Sequence, residues 1–157
     1  AATLAQQWSA FLDQEAARAA SPAERVVFDY HRLLAYEQLG QRERAVAMLE
    51  QSERDFPDDY NAPSRLAKVH LDLGHLELAL TAIDRALALV YGPRTLRVLR
   101  QKADILVAMK KPERAQRALE EAVAFGENLG PLPEGYQRLL SDLKRRRDKE
   151  GVGRGGP

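Results

Sequence analysis

The chain has 157 residues, of which 45% are hydrophobic and 30% are charged, and its formal net charge at pH 7 is +1. This length suits one domain or a short repeat array, and the near-zero net charge excludes a global field drawing the protein onto nucleic acid or membrane. The lack of cysteine excludes disulfides, thiol catalysis and cysteine-bound metals. No stretch approaches the roughly 20 apolar residues of a membrane helix, so we expect no membrane insertion.

The first predicted element is an amphipathic helix within residues 1–20. Its apolar stripe has the spacing of one helix face and consists of Leu4, Trp8, Phe11 and Leu12. We expect this helix to pack on the unit that follows. The start of the chain lacks the basic and apolar segments of a signal peptide, so we expect none there. It also lacks an initiating Met, which agrees with a processed product or with a domain cut from a longer protein.

The next helix begins after Ser21. The segment Ser21-Pro22-Ala23-Glu24 combines a capping box with Pro at the first helical position. This combination predicts a firm helix start at Pro22.

The middle of the chain repeats itself. Small and apolar residues with the i, i+3, i+4, i+7 spacing of a helix face occur at Ala45, Met48, Leu49, Ser52 and Phe56. The pattern returns 34 residues later at Ala79, Ala82, Ile83, Ala86 and Val90, and 36 residues after that at Ala115, Ala118, Leu119 and Ala122. A period of this length indicates a solenoid of two-helix units. Gly40 and Gly74 suit turns that need positive φ.

These residues resemble the tetratricopeptide repeat (TPR) family over about residues 24–128. The first unit matches the 34-residue motif at Tyr36, Gly40, Ala45, Leu49 and Pro57, with Ser52 in place of an Ala. The second unit matches at Leu66, Ala67, Gly74, Ala79 and Ala86, and the third at Ala103, Ala115, Leu119 and Ala122. The resemblance implies an all-α, tetratricopeptide-type α-solenoid of antiparallel helix pairs.

The sequence also departs from the motif. The position where the family prefers Trp holds Asp29, Pro63 and Leu99 in the three units. Leu33 stands where Gly or Ala is usual, and the third unit replaces its turn Gly with Lys110-Lys111-Pro112. We expect these changes to affect the regularity of the superhelix more than the fold.

We therefore expect about eight helices and no strands. The predicted units are an N-terminal packing helix (1–20), three repeats (22–57, 60–91 and 94–128), a C-terminal capping helix (133–149) and a disordered tail (150–157). The break before the last helix is Gly130-Pro131-Leu132-Pro133, and the apolar stripe of that helix is Tyr136, Leu139, Leu140 and Leu143. The basic run at 144–147 is interpreted as a solvated helix end, since cations there favour the helix dipole, and we expect no nucleic acid partner.

No enzyme signature occurs in the sequence. There is no glycine-rich phosphate loop, and His70 and His75 are five residues apart with Gly74 between them, which does not suit two ligands on one helix face. His70 lies where the family often has Tyr, so we interpret it as a packing residue. We expect no catalytic residues, no cofactor and no bound metal.

The resemblance implies that the first helix of each unit lines a concave groove that receives a partner segment. The groove positions are then Val27, Tyr30, His31, Leu34 and Glu37 in the first unit, Asn61, Ser64, Arg65, Lys68 and Asp72 in the second, and Arg97, Arg100, Gln101 and Asp104 in the third. The middle of this set is basic, which favours an acidic peptide. The candidate peptide-binding residues are Tyr30, Leu34, Arg65, Lys68, Arg97, Arg100, Gln101 and Asp104. The carboxylate clamp of chaperone cofactors is not expected, because only Arg97 keeps the charge that it needs.

The sequence thus predicts a non-enzymatic scaffold that binds a protein or peptide segment. Two alternatives stay open: a bacterial secretion-type chaperone for a partner protein, and an assembly or self-association module from a larger protein. The Ala- and Arg-rich composition indicates a GC-rich bacterial source. The localisation is unknown, and the sequence does not distinguish cytoplasm from periplasm.

Overall fold

A computed structural model describes residues 1–152 of the chain. Within them the helices are α1 (Leu4–Arg18), α2 (Pro22–Val26), α3 (Asp29–Gln38), α4 (Arg42–Asp55), α5 (Asn61–Asp72), α6 (Leu76–Leu89), α7 (Thr95–Ala108), α8 (Pro112–Glu127) and α9 (Glu134–Val152). One 3₁₀ turn, Gly92–Arg94, precedes α7. No strand occurs in this part of the chain, which confirms the predicted all-α solenoid.

The helix expected to begin at Pro22 is divided into α2 and α3. Ser21 caps α2 as predicted, with its Oγ accepting a hydrogen bond from the Glu24 N–H, but α2 ends at Val26. Val26 and Val27 are β-branched and lose side-chain freedom in a helix, which explains a weak point there. The described residues therefore contain nine α-helices where about eight were expected.

Helices that are consecutive in the chain pack against each other from α3 to α9, and α1 packs on α3. The core between them is built from small residues at the close approaches. Ala45, Ala79 and Ala115 are completely buried, as expected for the points where paired helices come nearest. Within each pair a larger side chain there would push the two helices apart.

Each turn inside a pair is closed by a residue with positive φ. Gly40 and Gly74 adopt φ values of 66° and 77°, and Lys110 adopts 58° in the third pair. The residue after each of these donates its N–H to a carbonyl five residues earlier, as in Lys111 N–H to Leu106 O at 2.9 Å. A lysine thus takes the conformation that the other two turns assign to glycine.

The last helix is longer than predicted. It was expected to end at residue 149, but α9 extends to Val152, and the ion pair of Arg146 with Glu150 one turn later supports this end (Nε to Oε1, 3.2 Å). The remainder of the expected disordered tail, residues 153–157, lies outside the described residues. Among the described helices, none is long and apolar enough to cross a bilayer.

Candidate functional site

The candidate site is the surface formed by the exposed and half-buried polar side chains of α3, α5, α7 and α9, called here the A-helix face. Four cross-helix pairs join these helices: Tyr30–Arg65, Ser64–Gln101, Arg97–Tyr136 and Asp104–Arg146. Gln101 binds Ser64 twice, donating from Nε2 to the Ser64 carbonyl at 2.8 Å and accepting from the Ser64 hydroxyl at 3.2 Å. The structure therefore brings together most of the residues selected from the sequence.

The last of these helices was not expected on this face. The basic run of α9 was interpreted as solvated, yet Arg146 is ion-paired with Asp104 and its side chain is only 28% exposed. Tyr136 lies under the Arg97 guanidinium, with its ring centroid 5.0 Å from the guanidinium carbon. The C-terminal helix thus extends the A-helix face by one helix.

The cations predicted on this face have different surroundings. Lys68 is ion-paired with Asp72 on its own helix, with 2.6 Å between Nζ and Oδ1. Arg65 and Arg97 lie over tyrosine rings, and Arg100 is exposed. Arg65, Arg97 and Arg100 have no ion-pair partner within residues 1–152. The unpaired positive charge among the predicted cations therefore lies on Arg65, Arg97 and Arg100.

A pocket of about 260 Å³ opens beside the first cross-helix pair. It lies between the first turn of α3, the last turn of α4 and the start of α5. Helices α5 and α7 touch each other, as do α7 and α9, whereas α3 and α5 approach each other less closely. The lining consists of Val26, Val27, Asp29, Tyr30, Ser52, Phe56, Asp59, Asn61, Ala62 and Arg65.

Two departures from the repeat motif meet in this pocket. Asp29 stands at the position where the family prefers Trp, and Ser52 stands in place of an Ala. The Ser52 hydroxyl donates a hydrogen bond to Asp29 Oδ2, and both residues are 1% exposed. Asp29 Oδ1 is buried and receives no hydrogen bond from residues 1–152. Each departure is visible in the sequence, and the structure shows that the two side chains are bonded.

The environment of Asp29 disfavours its charge. Burial raises the pKa of this carboxyl above its ordinary value, and the hydrogen bond from Ser52 and the charges of Arg32, Arg25 and Arg65 oppose that shift without cancelling it. Arg25 is itself ion-paired with Asp55 on α4. The carboxyl therefore keeps its proton to higher pH than an exposed aspartate.

Helix α1 is held to the first pair by a polar network around Asp13. Its carboxylate accepts hydrogen bonds from Arg32 Nε at 3.0 Å, from Arg44 Nη2 at 2.7 Å and from the Tyr36 hydroxyl. Burial raises the pKa of Asp13, but these three donors outweigh burial and lower it below its ordinary value. The opposite side of α1 presents Leu4 and Phe11, which are 81% and 57% exposed.

The histidines are not arranged for metal binding. The rings of His70 and His75 lie 5.7 Å apart between centroids, and His70 is buried. In residues 1–152 no group of three or more His, Cys, Asp or Glu side chains is placed to hold a metal ion. Burial, followed by the nearby His75, lowers the pKa of His70, which agrees with its interpretation as a packing residue.

This architecture, paired helices stacked so that alternate helices share one face, defines a helical repeat protein. Two family models described as Tetratricopeptide repeat match residues 58–128 and 30–54, together more than half of the chain. The chain belongs to the tetratricopeptide repeat family, and the resemblance found in the sequence is confirmed.

Solved structures show the same fold. A Podosopora anserina protein described as a kinesin light chain with nearly identical TPR-like repeats is 19% identical, with a TM-score of 0.72, and the match covers 96% of this chain and 80% of that one. A MamA RS-1 double mutant is 21% identical with a TM-score of 0.53, covering 96% and 89%. MamA MSR-1 is 17% identical with a TM-score of 0.53, covering 92% and 89%. A comparison with curated proteins gives no significant match.

Proposed function

We propose that this chain is a non-enzymatic protein-interaction scaffold whose A-helix face binds a segment of a partner protein. Family membership supports the general role, because stacked helix pairs present an extended surface suited to peptides. The observation that carries the proposal is the alignment of side chains from four helices on one face, joined by the cross-helix pairs.

An acidic segment suits the part of this face around α7. Arg97 and Arg100 lie one helical turn apart, both are exposed, and neither is ion-paired with a carboxylate of residues 1–152. A guanidinium that is free of a carboxylate offers charge-assisted hydrogen bonds to an incoming one. The paired Lys68 contributes less, since an acidic ligand has to compete with Asp72.

The experiment is an NMR shift-perturbation titration of the full chain with an acidic peptide and a charge-reversed control, at low and moderate salt. We expect saturable, salt-sensitive shifts at Arg97 and Arg100 with the acidic peptide alone. Arg100→Glu should weaken binding about tenfold, which corresponds to about 1.4 kcal/mol. The matched variant Arg114→Glu, at an exposed arginine of α8, should have little effect. Equal weak shifts with both peptides contradict the acidic preference.

A second candidate, self-association in an assembly, is favoured by the apolar side of α1. Leu4 and Phe11 are exposed there, and with Trp8 they line a groove of about 820 Å³. Sedimentation equilibrium tests this candidate. We expect a concentration-dependent dimer that Phe11→Glu abolishes, and a monomer at all concentrations contradicts it.

A further inference from the structure

The pocket between α3, α4 and α5 contains a buried acceptor that the protein itself does not satisfy. Asp29 is 1% exposed, and Ser52 occupies only one of its two carboxylate oxygens. The other oxygen, Oδ1, has no donor among residues 1–152. A buried polar atom without a partner is costly, so its presence in a residue that lines a pocket points to a group that enters from outside.

The same pocket contains a donor with unused capacity. Arg65 also lines the pocket, and its guanidinium carbon lies 5.5 Å from the centroid of the Tyr30 ring. Within residues 1–152 its guanidinium makes no hydrogen bond to an oxygen. The neighbouring Asp59, by contrast, already accepts two bonds from Asn61, from the backbone N–H and from Nδ2, both at 2.8 Å.

The pairing of these two groups restricts the chemistry of the ligand. An ammonium or guanidinium group would satisfy Asp29 but would be repelled by Arg65. A carboxylate would satisfy Arg65 but would be repelled by an ionised Asp29. A primary carboxamide donates through its NH₂ and accepts through its carbonyl, so it satisfies both groups without a net charge.

The walls of the pocket suit the aliphatic stem of such a side chain. Val26, Val27 and Ala62 are apolar, and Phe56 and Tyr30 contribute ring surface. A volume of about 260 Å³ accommodates one side chain of medium size and excludes a folded element. The lining also includes Tyr30 and Arg65, which form the first cross-helix pair of the A-helix face, so the pocket adjoins that face.

We infer that this pocket is an anchor subsite for a carboxamide side chain, that of glutamine or asparagine, in the segment bound on the A-helix face. Asp29 Oδ1 accepts from its NH₂ group, Arg65 donates to its carbonyl oxygen, and Ser52 orients the Asp29 carboxylate through Oδ2. The inference rests on the proposed function for the origin of the side chain, whereas the chemistry of the pocket stands by itself.

The test uses four capped amino acids, so that it does not depend on knowing the partner. The full chain at pH 7 is titrated with the N-acetyl methylamides of glutamine, lysine, glutamate and norleucine. NMR shifts are followed at the Asp29 side-chain carboxyl carbon and at the backbone amides of Asn61 and Ala62. The four probes share the same backbone amides, so any difference between them reports the side chain. We expect saturable shifts from the glutamine probe in the millimolar range, as befits a ligand of this size.

Variants locate the contacts. Asp29→Leu, which removes the acceptor, should abolish the glutamine preference, and Ser52→Ala should weaken the glutamine probe several-fold. Glu120→Gln, at an exposed position of α8, is the control and should leave binding unchanged. The Arg100 titration with the acidic peptide should be unaffected by Asp29→Leu, so failure of one proposal is distinguishable from failure of the other.

Three outcomes would overturn the inference. Equal shifts from all four probes show that the capping amides bind and the side chain does not. Stronger binding of the lysine or the glutamate probe shows a charged-group site. No saturable shift from the glutamine probe up to its solubility limit shows that the pocket does not bind a carboxamide side chain.

Discussion

The first and third helix pairs treat the same buried position in opposite ways. In the first pair it holds Asp29, bonded to Ser52, and in the third it holds Leu99, with Ala122 at the position that corresponds to Ser52. Asp29 and Leu99 are both 1% exposed. A buried carboxyl contributes nothing to the apolar core, yet the first pair keeps the fold of the third. The solenoid is therefore specified by the apolar positions that the pairs share, and this position accepts a polar residue.

The largest effect is expected when the polar residue is moved into the apolar pair. Leu99→Asp removes a core side chain and buries a carboxyl in a pair where Ala122, at the position that corresponds to Ser52, offers no hydroxyl to donate, so we expect a loss of about 5 kcal/mol in the free energy of unfolding. Urea denaturation followed by circular dichroism measures it. Leu99→Ala, which only creates a cavity, should cost about 3 kcal/mol. If the two variants lose the same stability, the carboxyl carries no penalty of its own at this site.

The reverse change should stabilise the protein. Asp29→Leu replaces a buried, partly satisfied carboxyl with an apolar side chain, and we expect a gain of about 2 kcal/mol at pH 7 by the same measurement. The folded-state pKa of Asp29 is raised, so ionisation of this carboxyl lowers the free energy of unfolding of the wild type at neutral pH. That free energy rises again as pH falls through the folded-state pKa. The gain should therefore shrink towards pH 4. Asp29→Asn tests the charge alone, and a less stable leucine variant contradicts the expectation.

A smaller effect concerns the position held by Tyr36, His70 and Leu106 in the three pairs. The folded-state pKa of His70 is lowered, chiefly by burial. The contribution of neutral His70 to the free energy of unfolding is therefore complete above the unfolded-state pKa and is lost as pH falls towards the folded-state pKa. Through this residue, we expect the free energy of unfolding of the wild type to fall by at most about 1.4 kcal/mol per pH unit below pH 6.5. His70→Tyr should reduce that slope, with His31→Gln, an exposed site, as the control. An unchanged slope in the tyrosine variant assigns the acid sensitivity to other groups.

The smallest effect concerns the turns. Lys110 has the positive φ that Gly40 and Gly74 adopt without a side-chain clash. Lys110→Gly should raise the free energy of unfolding by about 1 kcal/mol, net of the greater freedom of glycine in the unfolded chain. Thermal unfolding measures the change. Gly74→Lys, the reciprocal substitution, should lower stability by a similar amount, and a destabilised Lys110→Gly variant shows that the lysine side chain has a contact worth more than the backbone strain.

Much of the fold follows from the sequence because helical periodicity and the 34-residue period are local patterns. Ala45 and Ala79, for example, show from the local pattern alone where paired helices come close together. The break after Val26 leaves no signal in the helical periodicity of the sequence, because both sides keep a helical pattern and the interruption is only two residues long. The extent of α9 is not evident from the sequence, because a charged helix end has the same sequence pattern whether its side chains are solvated or ion-paired.

The candidate site was less predictable. Which residues share the A-helix face follows from the motif, but which of them touch depends on how the pairs stack. The bond of Gln101 to Ser64 spans 37 residues and has no sequence signal. The link between Asp29 and Ser52 did have one, because both depart from the motif in the same unit, one by gaining a carboxyl and the other by gaining a hydroxyl that can donate to it.

The cross-helix pairs have a consequence for any ligand. A partner side chain that replaces Gln101 at Ser64, or Tyr136 under Arg97, has to break a contact that the protein already makes. The measured affinity then reflects the contacts formed with the ligand minus the contacts broken within the protein. Ligand segments that form new contacts without breaking a cross-helix pair should dissociate slowly. Segments that only replace one member of a pair should dissociate rapidly. The same pairs join successive units, so a ligand that displaces one also loosens the stacking beneath it.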